Sequence, residues 1–138
     1  ALAAAPALFG ALTLLGLMSA LGWRFNIINM AALPLLAGIG VDDGVFLVAA
    51  ARNRAGRLLR RADLMERLGA SAHAIIVTTT TTSLAFGSLA LTSVPGVRSL
   101  GLMIAAGALG ALCGALLIVV PLLALRAPSH PPPAEPRP

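Results

Sequence analysis

Four apolar stretches constrain this chain more than any other feature: residues 4–23, 29–51, 72–91 and 100–125, taken approximately. At about 1.5 Å of rise per residue, roughly 20 residues cross the ~30 Å hydrocarbon core of a bilayer as a helix. Each stretch is long enough. Only 11% of the 138 residues are charged and 58% are hydrophobic, whereas a soluble domain carries roughly 25% charged residues. Mean hydropathy is +0.92. These properties predict an all-α membrane protein with four transmembrane helices.

The segments between the spans supply turn and topology signals. Pro6 stands near the entry of the first span, and Trp23-Arg24-Phe25 after it reads as an interfacial anchor of aromatic and snorkelling side chains. Asn26 and Asn29 offer capping chemistry for the second span, which holds Pro34 in its outer turns. Six of the ten basic residues, all of them Arg, fall between residues 52 and 67. By the positive-inside rule this loop is cytoplasmic, and so then are both ends of the chain. Within the loop, residues of about 62–69 form a short amphipathic helix, with Asp63, Glu66 and Arg67 on its polar side and Leu64, Met65 and Leu68 toward the membrane surface. Pro95-Gly96 predicts a tight outer turn between the third and fourth spans. The expected organisation is a transmembrane unit over 1–126 and a disordered, Pro-rich cytoplasmic tail over 127–138. The opening at Ala1, without Met or a charged stretch, lacks a signal-peptide pattern, and the chain reads as a portion of a longer protein.

One segment resists this apolar description. From Ile27 to Ala51 the only ionisable side chains are Asp42 and Asp43, adjacent in Gly38-Ile39-Gly40-Val41-Asp42-Asp43-Gly44. A charge at such depth costs roughly 2.5 kcal/mol or more, and intramembrane acids usually relay ions or protons. Neighbours on a helix lie about 100° apart, so the two acids point in different directions. Gly38, Gly40 and Gly44 remove side-chain bulk around them, which serves packing or the approach of another helix, a water file or a cation. By rise per residue, Asp42 and the run Thr78 to Thr82 both fall within about 5 Å of the midplane, on the loop side. The threonines therefore stand level with the acids. Thr78, Thr79 and Thr82 are candidates to stabilise a carboxylate and to accept from its protonated form, with Thr78 and Thr82 (i, i+4) as the same-face pair. Any of them taken singly otherwise bonds to its own helix carbonyls. Burial and an approaching cation act oppositely on a carboxyl's proton affinity, so an acid here is suited to titrate between two conformations.

Several chemistries are set aside. Ten Arg against five acids give an isoelectric point near 11.6, but the aromatic interleaving of a nucleic-acid surface is missing and no nucleic-acid partner is expected. No metal-ligand spacing occurs among His, Cys and Glu, so neither metal nor cofactor is expected. Cys113 reads as a small packing residue. An intramembrane aspartyl protease needs a second acid from another span, which no other span supplies, so an enzyme is not expected. In the fourth span, Gly110 and Gly114 form a small-xxx-small face for helix packing.

Asn26 to Ala51, with Leu-Pro-Leu-Leu-Ala-Gly-Ile-Gly-Val-Asp-Asp-Gly-Val-Phe-Leu, resembles the proton-relay helix of resistance-nodulation-division (RND) transporters. The Arg-rich loop, the Thr-Thr-Thr segment with Phe86-Gly87 and the Gly/Ala-rich last span are similar in order and spacing to the end of that family's membrane domain. The closest look is to its lipid-exporting branch, the MMPL and hopanoid-transporter-like members. The resemblance implies spans nine to twelve of twelve in a proton-driven exporter of hydrophobic or lipid cargo in the bacterial inner membrane. It matches Asp42 to the proton-carrying Asp, while Asp43 stands where many relatives have Tyr. The implied partners are the rest of the same transporter (upstream spans and periplasmic domains), membrane lipid and protons, with a homo-oligomer left open. A second reading is a non-transporting, sterol-sensing-like module that binds lipid or partner helices through the fourth span.

Overall fold

The computed structural model describes residues 2–22, 27–52 and 58–128. After a 3₁₀ turn at Leu2–Ala4, α1 runs Ala5–Leu21 with Pro6 in its first turn, where a missing N–H leaves nothing unpaired. It stops at Gly22, whose φ of 64° is open to glycine at little cost and whose N–H returns to the carbonyls of Met18 and Ser19. A single turn, α2 (Ile27–Met30), precedes α3 (Ala32–Ala50). Then come α4 (Arg61–Gly87), a 3₁₀ turn at Ser88–Leu91, and α5 (Pro95–Gly114). A π segment, Ala115–Val119, joins α5 to α6 (Val120–Arg126).

The all-helical expectation holds among the described residues, where the one β feature is an isolated antiparallel bridge between Arg52 and Leu58. Four helical runs are long and apolar enough to cross a membrane: Leu2–Ala20, Ala32–Ala50, Arg61–Leu91 and Pro95–Arg126. Two details differ from expectation. The amphipathic turns at 62–69 are not a separate helix but the start of α4, which is unbroken for 27 residues because nothing between Leu68 and Ala72 breaks a helix beyond the single Gly69. The outer turn does not use Pro95 and Gly96 as corners. Val94 is extended (φ −85°, ψ 110°), as the residue before a proline prefers, and Pro95 opens α5. At the far end, Pro121 brings a ring and no N–H into a continuing helix, and the widened π turn just before it accommodates both.

The helices run up and down, with α5 packed on α1, α3 and α4. Two apolar clusters mark the ends. Leu14, Met18, Ala32, Leu36, Met103, Ile104 and Ala108 form one. Leu47, Ala51, Leu64, Leu68, Ile75, Ala115, Val119 and Leu123 form the other, at the end that also holds Leu2, Leu59 and Ala127. The start of α1, the α3–α4 connection and the end of α6 thus share one end of the bundle. The interfacial anchor at 23–25, most of the Arg-rich loop (53–57) and the proposed tail from residue 129 onward lie outside the described residues.

Candidate functional site: two carboxylates between α3 and α4

The inward edge of α3 is Ala32, Leu36, Gly40, Asp43, Gly44 and Leu47, continuing to Ala51. These residues recur at three and four, so they lie along one face of the helix. Asp43 is on that face and only 8% exposed, whereas Asp42, one position round, is exposed. On α4 the inward edge is Leu64, Leu68, Ser71, Ile75, Thr79 and Ser83. The two edges bring Thr79 to Asp43, and Thr79 Oγ1 donates a long hydrogen bond of 3.5 Å to Asp43 Oδ2. Both partners are buried, so each would otherwise leave a polar group unsatisfied.

This pairing differs from the one expected of Asp42 with Thr78 and Thr82. Thr78 is exposed, and its hydroxyl turns back to the carbonyls of Ala74 and Ile75, both at 3.1 Å. Thr81 does the same toward Val77 at 2.8 Å. Thr82 is half-buried and Thr80 exposed. Asp42, Asp43 and Thr78 nevertheless meet around a common space, an open cleft of ≈ 180 Å³ completed by Phe46, Ala74 and Ile75. A buried carboxylate held by the Thr79 hydroxyl, with a second, exposed carboxylate beside it on the cleft, can exchange a proton with water or hold a cation.

The packing glycines divide. A Cβ on Gly40 or Gly44 would run into the backbone of Ala7 or Ala3, so α1 and the 3₁₀ turn before it cross α3 at these two positions. Gly38 is exposed with nothing within 4 Å, so its expected packing role has no partner among the described residues. Gly110 faces Thr13 and Gly114 faces Phe9, where a Cβ would come within 2.7 Å of side-chain atoms. The small-residue face of α5 is thus occupied by α1. His73 and Cys113 are exposed and do not line the cleft.

Two polar residues escaped the sequence reading. Ser83 Oγ donates to the Ala105 carbonyl at 3.5 Å, joining α4 to α5 one turn from Thr79. Ser71 is buried on the same edge, toward the loop end. The signal was present: extending the line from Leu64 through Leu68 and Ile75 lands on Thr79 and Ser83 once residues 61–87 are treated as one helix.

Comparison with known proteins bears on what this arrangement belongs to. The family model described as Patched SSD matches residues 1–125, nearly the whole chain. The chain belongs to the Patched SSD family. Two curated relatives are also similar to it. The hopanoid transporter HpnN of Rhodopseudomonas palustris (strain TIE-1) is 40% identical over 98 residues, covering 71% of this chain and 10% of that protein. The hopanoid transporter HpnN of Burkholderia multivorans (strain ATCC 17616 / 249) is 34% identical over 111 residues, covering 80% of this chain and 12% of that protein. These matches bear out the resemblance to RND transporters of the hopanoid-transporter-like branch. The chain spans about a tenth of the length of both relatives. No solved structure matches it.

Proposed function

We propose that this Patched SSD chain supplies the proton-relay helix of a proton-motive-force-driven RND exporter of hydrophobic or lipid cargo, hopanoid-like in class. One observation carries the reading: adjacent carboxylates sit midway along an apolar helix, one buried against Thr79 and both lining a cleft. Such groups are expensive in a membrane and recur on proton paths. The curated relatives, both named hopanoid transporters, support the cargo class.

In this mechanism the ionised Asp43 accepts from Thr79, and after protonation it donates back to the same hydroxyl. Loss of the charge removes the need to keep water in the cleft, so α3 and α4 close on each other, and the Ser83 contact passes the shift to α5. Asp42, exposed on the lining of the same cleft, passes protons between Asp43 and the surroundings of this four-helix unit. The proposed setting is the bacterial inner membrane, with the α3–α4 loop and both chain ends in the cytoplasm.

The test is export by the intact protein in proteoliposomes under an imposed pH gradient. Asp42→Asn and Asp43→Asn are each expected to abolish gradient-dependent lipid export at normal expression. Near-normal export by both variants would overturn the reading.

The Patched SSD match also favours a second reading, a lipid-binding module without transport. Its originally expected surface, Gly110 and Gly114, is taken up by α1, so this reading now requires a different face. It predicts that lipid binding survives both Asp→Asn changes and is indifferent to a pH gradient.

A further inference from the structure

The end of the bundle that holds the α3–α4 connection gathers five described arginines: Arg52 after α3, Arg60, Arg61 and Arg67 at the start of α4, and Arg126 at the end of α6. They come from three separate parts of the chain. One apolar cluster brings them together, because Ala51, Leu68 and Leu123 belong to it and Leu59 and Ala127 pack against it. Each arginine is next to one of these residues in sequence or one turn away. All five side chains are exposed. Among the described residues, the carboxylates at this end are Asp63 and Glu66, also exposed, and no ion pair joins them to the five arginines.

Local helix chemistry accounts for only part of this arrangement. Arg126 in the last turn of α6 and Asp63 in the first turn of α4 suit the dipoles of their helices. Arg60 and Arg61 do not. They place positive charge at a helix N-terminus, and Arg60 occupies the N-cap with no capping hydrogen bond from its side chain. A count of arginines in a loop suffices to orient a membrane protein. That rule does not require arginines from distant segments to be held as one unpaired collar around the bundle end.

We propose that this collar binds the anionic headgroups of bilayer phospholipids, with the arginines on the phosphates and the apolar cluster anchoring the helix ends at headgroup depth. Guanidinium groups bind phosphate oxygens in pairs of hydrogen bonds, and exposed Met65 lies beside Leu64 where acyl chains begin. Lipid occupancy would fix the relative positions of the ends of α3, α4 and α6. The proposal is independent of whether Asp42 and Asp43 carry protons.

The test uses the intact protein in neutral detergent, titrated with short-chain phosphatidylglycerol or phosphatidylcholine, with bound lipid counted by native mass spectrometry. Phosphatidylglycerol should bind preferentially, and the preference should fall with added salt as charges are screened. The triple change Arg60→Gln, Arg61→Gln, Arg126→Gln should weaken phosphatidylglycerol binding by about two orders of magnitude, at roughly fivefold per arginine. The corresponding triple Lys variant should keep most of it, and Arg98→Gln, at the opposite end of the bundle, should change nothing. Equal binding of the two lipids, a preference insensitive to salt, or full preference in the Gln variant overturns the proposal. So does displacement of the lipid by equimolar inorganic phosphate, which would mark a free-anion site instead. Should the Gln variant not fold, the salt titration and the Lys variant still decide.

Discussion

At the residue scale the site turns on one step around a helix. Asp42 and Asp43 are equivalent in composition, and resemblance singles out Asp42, yet Asp43 is the acid buried within this unit. That distinction was not legible in the sequence, because α3 is apolar on every side and only its packing shows that Ala32, Leu36, Gly40, Leu47 and Ala51 form the inward face that includes position 43. Depth alone could not resolve it, because residues one apart are level to about 1.5 Å. Thr79→Val keeps the shape and removes the donor, leaving a buried carboxyl without its partner at a cost of about 1–3 kcal/mol. A lower thermal midpoint and impaired gradient-driven export are expected, whereas Thr78→Val should be nearly silent because its hydroxyl serves only its own helix. The glycines make a similar contrast. Gly44→Ala pushes a methyl into the Ala3 backbone and should destabilise by about 1–3 kcal/mol. Gly38→Ala meets open space among the described residues and, by removing a helix-interior glycine, should raise the thermal midpoint slightly.

At the element scale, span number and order were readable from apolar runs, because a bilayer imposes a length that composition must meet. The joins were less readable. An amphipathic segment followed by an apolar one looks like two helices, since the character of the exposed face changes at about residue 70, while the backbone has no reason to stop there. The inward line from Leu64 to Ser83 makes α4 a single rigid element connecting the loop end to Thr79. Inserting one Ala after Gly69 should therefore rotate the two halves by about 100° relative to each other. Either Leu64 and Leu68 or Thr79 and Ser83 would then leave the interior. Export by the intact protein should be lost, and hydrogen exchange should show reduced protection on one side of the insertion. Two helices joined by a flexible hinge would absorb the extra residue and keep activity. The π segment escaped prediction for a different reason: Pro121 announces a disturbance of the helix, but whether a kink or a widened turn accommodates it depends on packing, here Ala115 and Val119 in the core.

At the scale of the whole molecule, the four spans place Leu2, Arg52, Arg60 and Arg126 at one end and Gly22, Ser93 and Arg98 at the other. The bundle alone has no preferred direction across a bilayer. The proposed direction, with the α3–α4 loop in the cytoplasm, rests on the arginine distribution. The exposed Asp42 and Phe46 on α3 then form a flank at membrane depth, and a chain spanning a tenth of its relatives leaves most of each relative available to cover such a flank. Orientation can be tested without knowing that cover. Cys113 is the only cysteine of this chain, so with Cys113 and every cysteine elsewhere in the intact protein changed to Ser, single probes can be placed at exposed Ser93 and Arg60. In spheroplasts carrying the intact protein, a membrane-impermeant thiol reagent should label Ser93→Cys directly and Arg60→Cys only after permeabilisation. The opposite pattern would place the arginine collar outside the cell and remove the basis for a cytoplasmic α3–α4 loop. It would also reverse the proposed relay: the cleft at Asp43 lies between the midplane and the loop end, so protons would then reach it from the periplasmic side.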